Sequence, residues 1–184
     1  ASRDEKASLG EATQLTTVRD PNARFEFTFP DLNGSPVSFS DPQFRDRVVI
    51  VVIGGSWCAN CHDEVALLTA LREKYGPEGL EVVGLMFEQL DDVAEAREAV
   101  ARFRDRWNIP YPLLLTGTTT QDPDAPRLPQ LDAIRGYPTT IFIDRKGMVR
   151  HIHTGFSGPA TGEHYTELAR DFEERVRTLL AEKA

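Results

Sequence analysis

Val48-Val49-Ile50-Val51-Val52-Ile53-Gly54-Gly55-Ser56-Trp57-Cys58-Ala59-Asn60-Cys61 is the stretch from which the fold can be read. Its first six residues are apolar without alternation and β-branched throughout, the pattern of a central strand covered on both faces. Gly54-Gly55 ends that strand. A Cys-x-x-Cys pair then opens a helix, and the chain holds no other cysteine. In that strand-to-helix setting the first sulfur lies beside unpaired helix N–H groups, which favour its thiolate. Cys58 is therefore expected as the exposed nucleophile. One turn on, Cys61 is expected within reach of that sulfur but more buried, able to attack a mixed disulfide and release the reduced partner.

Working outward, Val65, Leu68, Leu71 and Tyr75 recur three and four apart and extend the helix from Cys58 to Tyr75, where Gly76-Pro77 closes it. Leu80 to Phe87 reads as a second buried strand. Asp91-Asp92 supplies a cap for a second helix with a stripe of Val93, Ala96, Val100, Phe103 and Trp107. Pro110 to Leu115 is a short third strand, and Thr116 to Pro129, with one Gly and three Pro, suits a long loop. Thr139 to Ile143 and Met148 to His153 flank the turn Asp144-Arg145-Lys146-Gly147, and a last helix from Glu163 turns Tyr165, Leu168, Phe172, Val176 and Leu179 inward.

On the N-terminal side, Phe25, Phe27 and Phe29 alternate as a strand with one apolar face, and Asn33-Gly34 turns it toward Val37 and Phe39. After this opening β-hairpin the order is β-α-β-α-β-β-α. That order predicts an α/β domain over residues 25–184, with a mainly parallel, mixed central sheet flanked by helices. Residues 1–24 lack periodicity and read as a polar linker or arm.

Composition narrows the function. The 184 residues suit one domain with a real core. The longest apolar run, Val48 to Ile53, is far short of the ~20 residues a membrane helix needs. A net charge of -8 repels polyphosphate backbones, so nucleic acid is not expected as a partner. Two cysteines are too few for a disulfide-stapled scaffold, which leaves the pair as a site.

Trp57, Cys58, Cys61 and Glu64, in the pattern Trp-Cys-x-x-Cys-x-x-Glu, are followed downstream by Gly136-Tyr137-Pro138-Thr139-Thr140-Ile141-Phe142-Ile143-Asp144. Together these motifs resemble the thioredoxin-like reductases of the TlpA/ResA type, over Phe25 to Leu180. The resemblance implies a thioredoxin-like fold and thiol-disulfide oxidoreduction, reducing disulfides of extracytoplasmic proteins. Cys58 would attack and Cys61 resolve. Tyr137-Pro138 would be a cis peptide that, with Trp57, meets the substrate. It implies no cofactor and no metal. The partners are a protein thiol or disulfide substrate and an upstream thiol electron donor, in a periplasmic or otherwise extracytoplasmic setting. The arm up to Arg24 would then be a spacer from a membrane tether outside this chain.

Residue chemistry adds to this. Glu64, three residues after Cys61, is placed to sit beneath the sulfurs and shuttle the resolving thiol's proton, although an acid near a helix N-terminus also has an ordinary electrostatic reason to be there. Val52 stands where some thioredoxins carry a buried Asp, which leaves Glu64 as the acid for that role. Ala59-Asn60 brings no positive charge to the thiolate, so the pair is expected to be a reductant.

Three other readings compete. Cys58-Ala59-Asn60-Cys61-His62 spells a c-type haem attachment motif with His62 as axial ligand, although the β-branched strand and Trp57 suit a redox helix better. A thiol peroxidase of the same fold would carry Pro and Thr before its cysteine, where this chain has Gly55, Ser56 and Trp57. A zinc site lacks its second cysteine pair. His62 is expected to face solvent. So are His151 and His153, since alternation around Ile152 turns them to water.

Overall fold

The computed structural model describes residues 16–118 and 128–184. The start of the expected arm and residues 119–127 of the expected long loop lie outside the described residues. Strands β1 (Thr28–Pro30) and β2 (Pro36–Ser38) form an antiparallel hairpin. A second sheet holds β3 (Val48–Gly54), β4 (Leu80–Glu88), β5 (Leu113–Thr118), β6 (Thr139–Ile143) and β7 (Val149–Thr154), in the order β5-β4-β3-β6-β7. β3 pairs parallel with β4, and β4 with β5; β6 runs antiparallel to both β3 and β7. The helices are α1 (Ala59–Tyr75), α2 (Val93–Trp107) and α3 (Glu163–Ala181). This is the mixed sheet flanked by helices, with its N-terminal hairpin, that the element order predicts.

β3 is buried along its whole length because both faces are covered. Val48, Ile50 and Val52 meet Val65 and Leu68 of α1, Phe103 of α2 and Phe172 of α3 in one core. Val49, Val51 and Ile53 face a second core, closed by Phe25, Phe27 and Phe39 of the N-terminal segment. Alternate residues of a strand point to opposite faces, so an unbroken apolar run needs two partners, and the opening hairpin supplies one of them. Turn chemistry holds that hairpin: Gly34 takes φ 85°, and Asp31 Oδ1 accepts from the Asn33 and Ser35 N–H groups.

Several boundaries differ from expectation. β5 begins and ends later, running through Thr116 to Thr118, because Pro110 and Pro112 cannot donate to a ladder and Thr116 Oγ1 donates to Met86 O across the pair. Its pairing with β4 shifts register between Met86 and Phe87. In α2, Asp92 caps as expected and Ala96, Val100 and Phe103 are buried, but Val93 and Trp107 at the two ends of the stripe are exposed. The expected arm is tied down from Thr16 on. Val18 bridges Leu131, the Arg19 N–H donates to Gln130 O, and Arg19 Nε donates to Leu131 O. Among the described residues no helix is long and apolar enough to cross a membrane.

His151 and His153 do not turn to water. β7 is covered by α3 on that face, so His151 packs at 5.8 Å from Phe142 and His153 at 5.4 Å from Phe172. Burial lowers both pKa values below the usual 6.5, Arg175 adding to it and Asp171 opposing. A depressed histidine binds fewer protons folded than unfolded, so its contribution is intact above 6.5 and is lost as pH falls below it. Urea midpoints of the protein should therefore fall, between pH 7 and 5, relative to those of a His151→Gln/His153→Gln variant. Parallel curves for the two proteins would show that neither ring is linked to folding.

Candidate active site

β3 ends at Gly54, and the chain must turn at once into α1. A Cβ on Gly55 would lie 2.2 Å from Trp57 Nε1 and 2.6 Å from Phe87 O, so only glycine fits the turn. Cys58 is the N-cap of α1, and its Sγ accepts the Cys61 N–H at 3.3 Å. Cys58 and Cys61 form a disulfide with Cα atoms 5.2 Å apart. The expected contrast in exposure between them is absent: Cys58 is 6% exposed and Cys61 5%. In the oxidised pair each sulfur covers the other. What distinguishes Cys58 here is its place at the helix tip.

Trp57 is more than a third exposed and lies beside the disulfide, its indole N–H donating to Phe87 O at 2.8 Å. Its ring stands edge-on to Tyr137, centroids 5.2 Å apart. The Tyr137-Pro138 peptide is cis, and Pro138 is buried immediately before β6. Pro138 O is taken by the Gly155 N–H at 2.7 Å. The sheet thus brings Trp57, Tyr137 and Pro138, which the sequence motifs separate by about eighty positions, to one end of β3 and β6.

Glu64 is 1% exposed, on the face of α1 that lies on the sheet. Its Oε1 accepts from Thr140 Oγ1 at 2.5 Å, while Oε2 has no partner among the described residues. Burial pushes its pKa up to about 8, against the smaller lowering by the Thr140 hydroxyl. At neutral pH the group is therefore chiefly a neutral acid. A cavity of about 20 Å³, room for one water, is lined by Cys61, Glu64 and Tyr111 among apolar neighbours such as Val52 and Phe103. Burial, and then the Glu64 charge, raise the Tyr111 phenol in turn. The Cys61 sulfur and the Glu64 carboxyl thus border one small cavity.

His62 departs from the expected solvent-facing position. Trp107 Nε1 donates to its Nδ1 at 2.8 Å, and its Nε2 reaches Ser56 O at 2.7 Å. With Nδ1 accepting, the proton sits on Nε2, which donates to the carbonyl. The ring also packs edge-on to Phe103 at 4.7 Å. An axial haem ligand needs a free ring nitrogen and a haem thioether needs a free thiol, and this arrangement offers neither. Among the described residues no cluster of three His, Cys, Asp or Glu side chains is placed to hold a metal.

Ser56, Glu88, Tyr111 and Thr140 carry no assigned role in the sequence, yet the fold brings them to the site. A signal existed for Glu88, a carboxylate closing the run Val82 to Phe87, since an acid in a buried strand needs donors. Thr140 and Tyr111 carry no such mark.

A profile of the AhpC/TSA family matches residues 21–152. The thiol-disulfide oxidoreductase ResA of Geobacillus kaustophilus is 27% identical over 143 residues, spanning 78% of this chain and 74% of that protein. The thiol:disulfide interchange protein DsbE of Allochromatium vinosum is 29% identical over 131 residues, 71% of this chain and 64% of that one. Among solved structures, the secreted thiol-disulfide isomerase of Corynebacterium glutamicum superposes with a TM-score of 0.68 at 20% identity, covering 91% of this chain and 93% of its own. That likeness is one of fold.

Proposed function

The chain belongs to the AhpC/TSA family, and from that premise we propose that it is a thiol-disulfide oxidoreductase acting on protein disulfides, with Cys58 attacking and Cys61 resolving. The observation that carries the proposal is the Cys58-Cys61 disulfide at the tip of α1, with the buried Glu64 carboxyl lining the same cavity as its second sulfur. The oxidised pair is the state an electron donor must reduce. A donor thiolate attacks Cys58 Sγ, the Cys58-Cys61 bond breaks, and Cys61 leaves as a thiolate that takes a proton from Glu64. A second donor thiolate then attacks the first donor's sulfur, the mixed disulfide breaks and Cys58 leaves as a thiolate, so two electrons enter the pair and the donor departs as a disulfide.

In the forward step the Cys58 thiolate attacks a client disulfide and expels one client thiolate. Glu64, now ionised, takes the Cys61 proton. Cys61 attacks Cys58 Sγ, the mixed disulfide breaks, and the client leaves with both sulfurs reduced. Trp57, Tyr137 and Pro138 are the residues we assign to client contact. An extended client segment can pair with the Tyr137 backbone as an added strand.

The peroxidase reading has less support. The relatives named above are a thiol-disulfide oxidoreductase and a thiol:disulfide interchange protein, and Cys58 is already bonded to a resolving partner within its own helix turn. We place the protein outside the cytoplasm, where a formed disulfide persists. The secreted Corynebacterium glutamicum isomerase shares the fold.

The test is capture. A Cys61→Ala variant is expected to accumulate clients as mixed disulfides through Cys58, identifiable by mass spectrometry, and to yield none when Cys58 is also replaced. The direction of exchange is read separately. With no cationic side chain between the cysteines, the pair's potential should lie below that of protein disulfide isomerase, about -180 mV. A value near -120 mV, the oxidant range, would reverse the assigned direction.

A further inference from the structure

Glu88, the last residue of β4, is 2% exposed. A carboxylate is costly to bury without compensation, yet among the described residues its oxygens go to one serine rather than to a cation. Oε1 accepts the Ser56 N–H at 2.8 Å and Oε2 accepts the Ser56 hydroxyl at 2.6 Å. The remaining polar atom of Ser56, its carbonyl oxygen, accepts from His62 Nε2 at 2.7 Å. His62 is held in turn by Trp107 of α2.

All three polar atoms of the residue two before Cys58 are thus fixed from outside its own turn. The next residue is fixed by the same strand end, because Trp57 Nε1 donates to Phe87 O. The turn closes on itself through the Cys58 N–H, which donates to Gly55 O at 3.1 Å. The register shift between Met86 and Phe87 comes immediately before these two contacts, and such irregularities re-aim side chains at sheet ends.

We propose that Glu88 is a positioning residue of the redox site: through Ser56 it fixes the Gly55-Ser56-Trp57 turn, and so the place from which Cys58 Sγ meets a partner's sulfur. His62 is the opposing arm of the clamp. In-line attack on a disulfide tolerates little displacement of the nucleophile, and a shift of about 1 Å can cost up to two orders of magnitude in rate. The inference rests on Cys58 being the attacking sulfur.

The experiment measures, on the reduced protein, the rate of Cys58 alkylation by iodoacetamide and of exchange with a small aromatic disulfide. Glu88→Ala should slow both by about 10-fold. Glu88→Gln keeps an oxygen for the Ser56 N–H and should restore both to within about 2-fold of the unmodified protein. Unchanged rates in Glu88→Ala would overturn the proposal. So would a Glu88→Gln as slow as Glu88→Ala, since the charge and not the geometry would then matter. If Glu88→Ala does not fold, Ser56→Ala decides, because it removes one arm and leaves the carboxylate; a slowing of about 3-fold supports the clamp and no slowing refutes it. A Cys58→Ser protein that still exchanges would instead remove the underlying assignment of the nucleophile.

Discussion

Glu64→Gln should make the oxidised protein several kcal/mol more stable at pH 9 while leaving its stability at pH 4 almost unchanged. The carboxyl lies on the buried face of α1, where burial raises its pKa from 4.5 to about 8. A group with a raised folded pKa binds more protons folded than unfolded, so the stability it contributes is complete below 4.5 and is lost as pH climbs through 8. The separation of about 3.5 units, at 1.36 kcal/mol each, sets an upper limit of about 5 kcal/mol. Glutamine is neutral throughout, fills nearly the same volume and still offers Thr140 Oγ1 an acceptor, so it escapes that loss. Urea unfolding of both proteins at pH 4, 7 and 9 checks this. A difference that does not grow with pH would mean that Glu64 is not a buried acid.

The same substitution should harm function, because Gln cannot take the Cys61 proton. Release of the mixed disulfide is expected to slow at neutral pH with the fold intact. A site that gains stability on losing a group and loses turnover with it shows that the group is there for chemistry.

Cys58→Ser should abolish disulfide reductase turnover, a loss of roughly a thousandfold or more, since a hydroxyl is essentially never ionised at neutral pH and forms no disulfide. Cys61 remains in that variant, but it lies a turn behind the helix tip and is assigned the resolving role, so it is not expected to take over the attack. Running the unmodified protein and the variant against both a disulfide client and a hydroperoxide separates the two chemistries of this fold. Turnover of the disulfide alone, lost in the variant, supports the reductase. Peroxide turnover at comparable rates would return the peroxidase reading.

Much of this protein could be read locally. The run Val48 to Ile53 declared a central strand because nothing along it prefers water. The spacing of Val65, Leu68, Leu71 and Tyr75 declared α1, and the cysteine pair between strand and helix declared the site. Each of these is a statement about neighbours in the chain, where one face of a helix or strand is fixed by a period of 3.6 or 2.

What the chain order does not carry is which distant residues meet. Glu64 finds Thr140 across 76 positions and Ser56 finds Glu88 across 32. Both contacts depend on the register of β3 against its neighbours β4 and β6, and the second follows a shift in the β4-β5 ladder that no residue announces. His151 and His153 alternate with Ile152 as a half-exposed strand would, yet α3 covers their face. Period 2 tells which residues share a face of the sheet; only the packing of a helix against that face decides whether water reaches it.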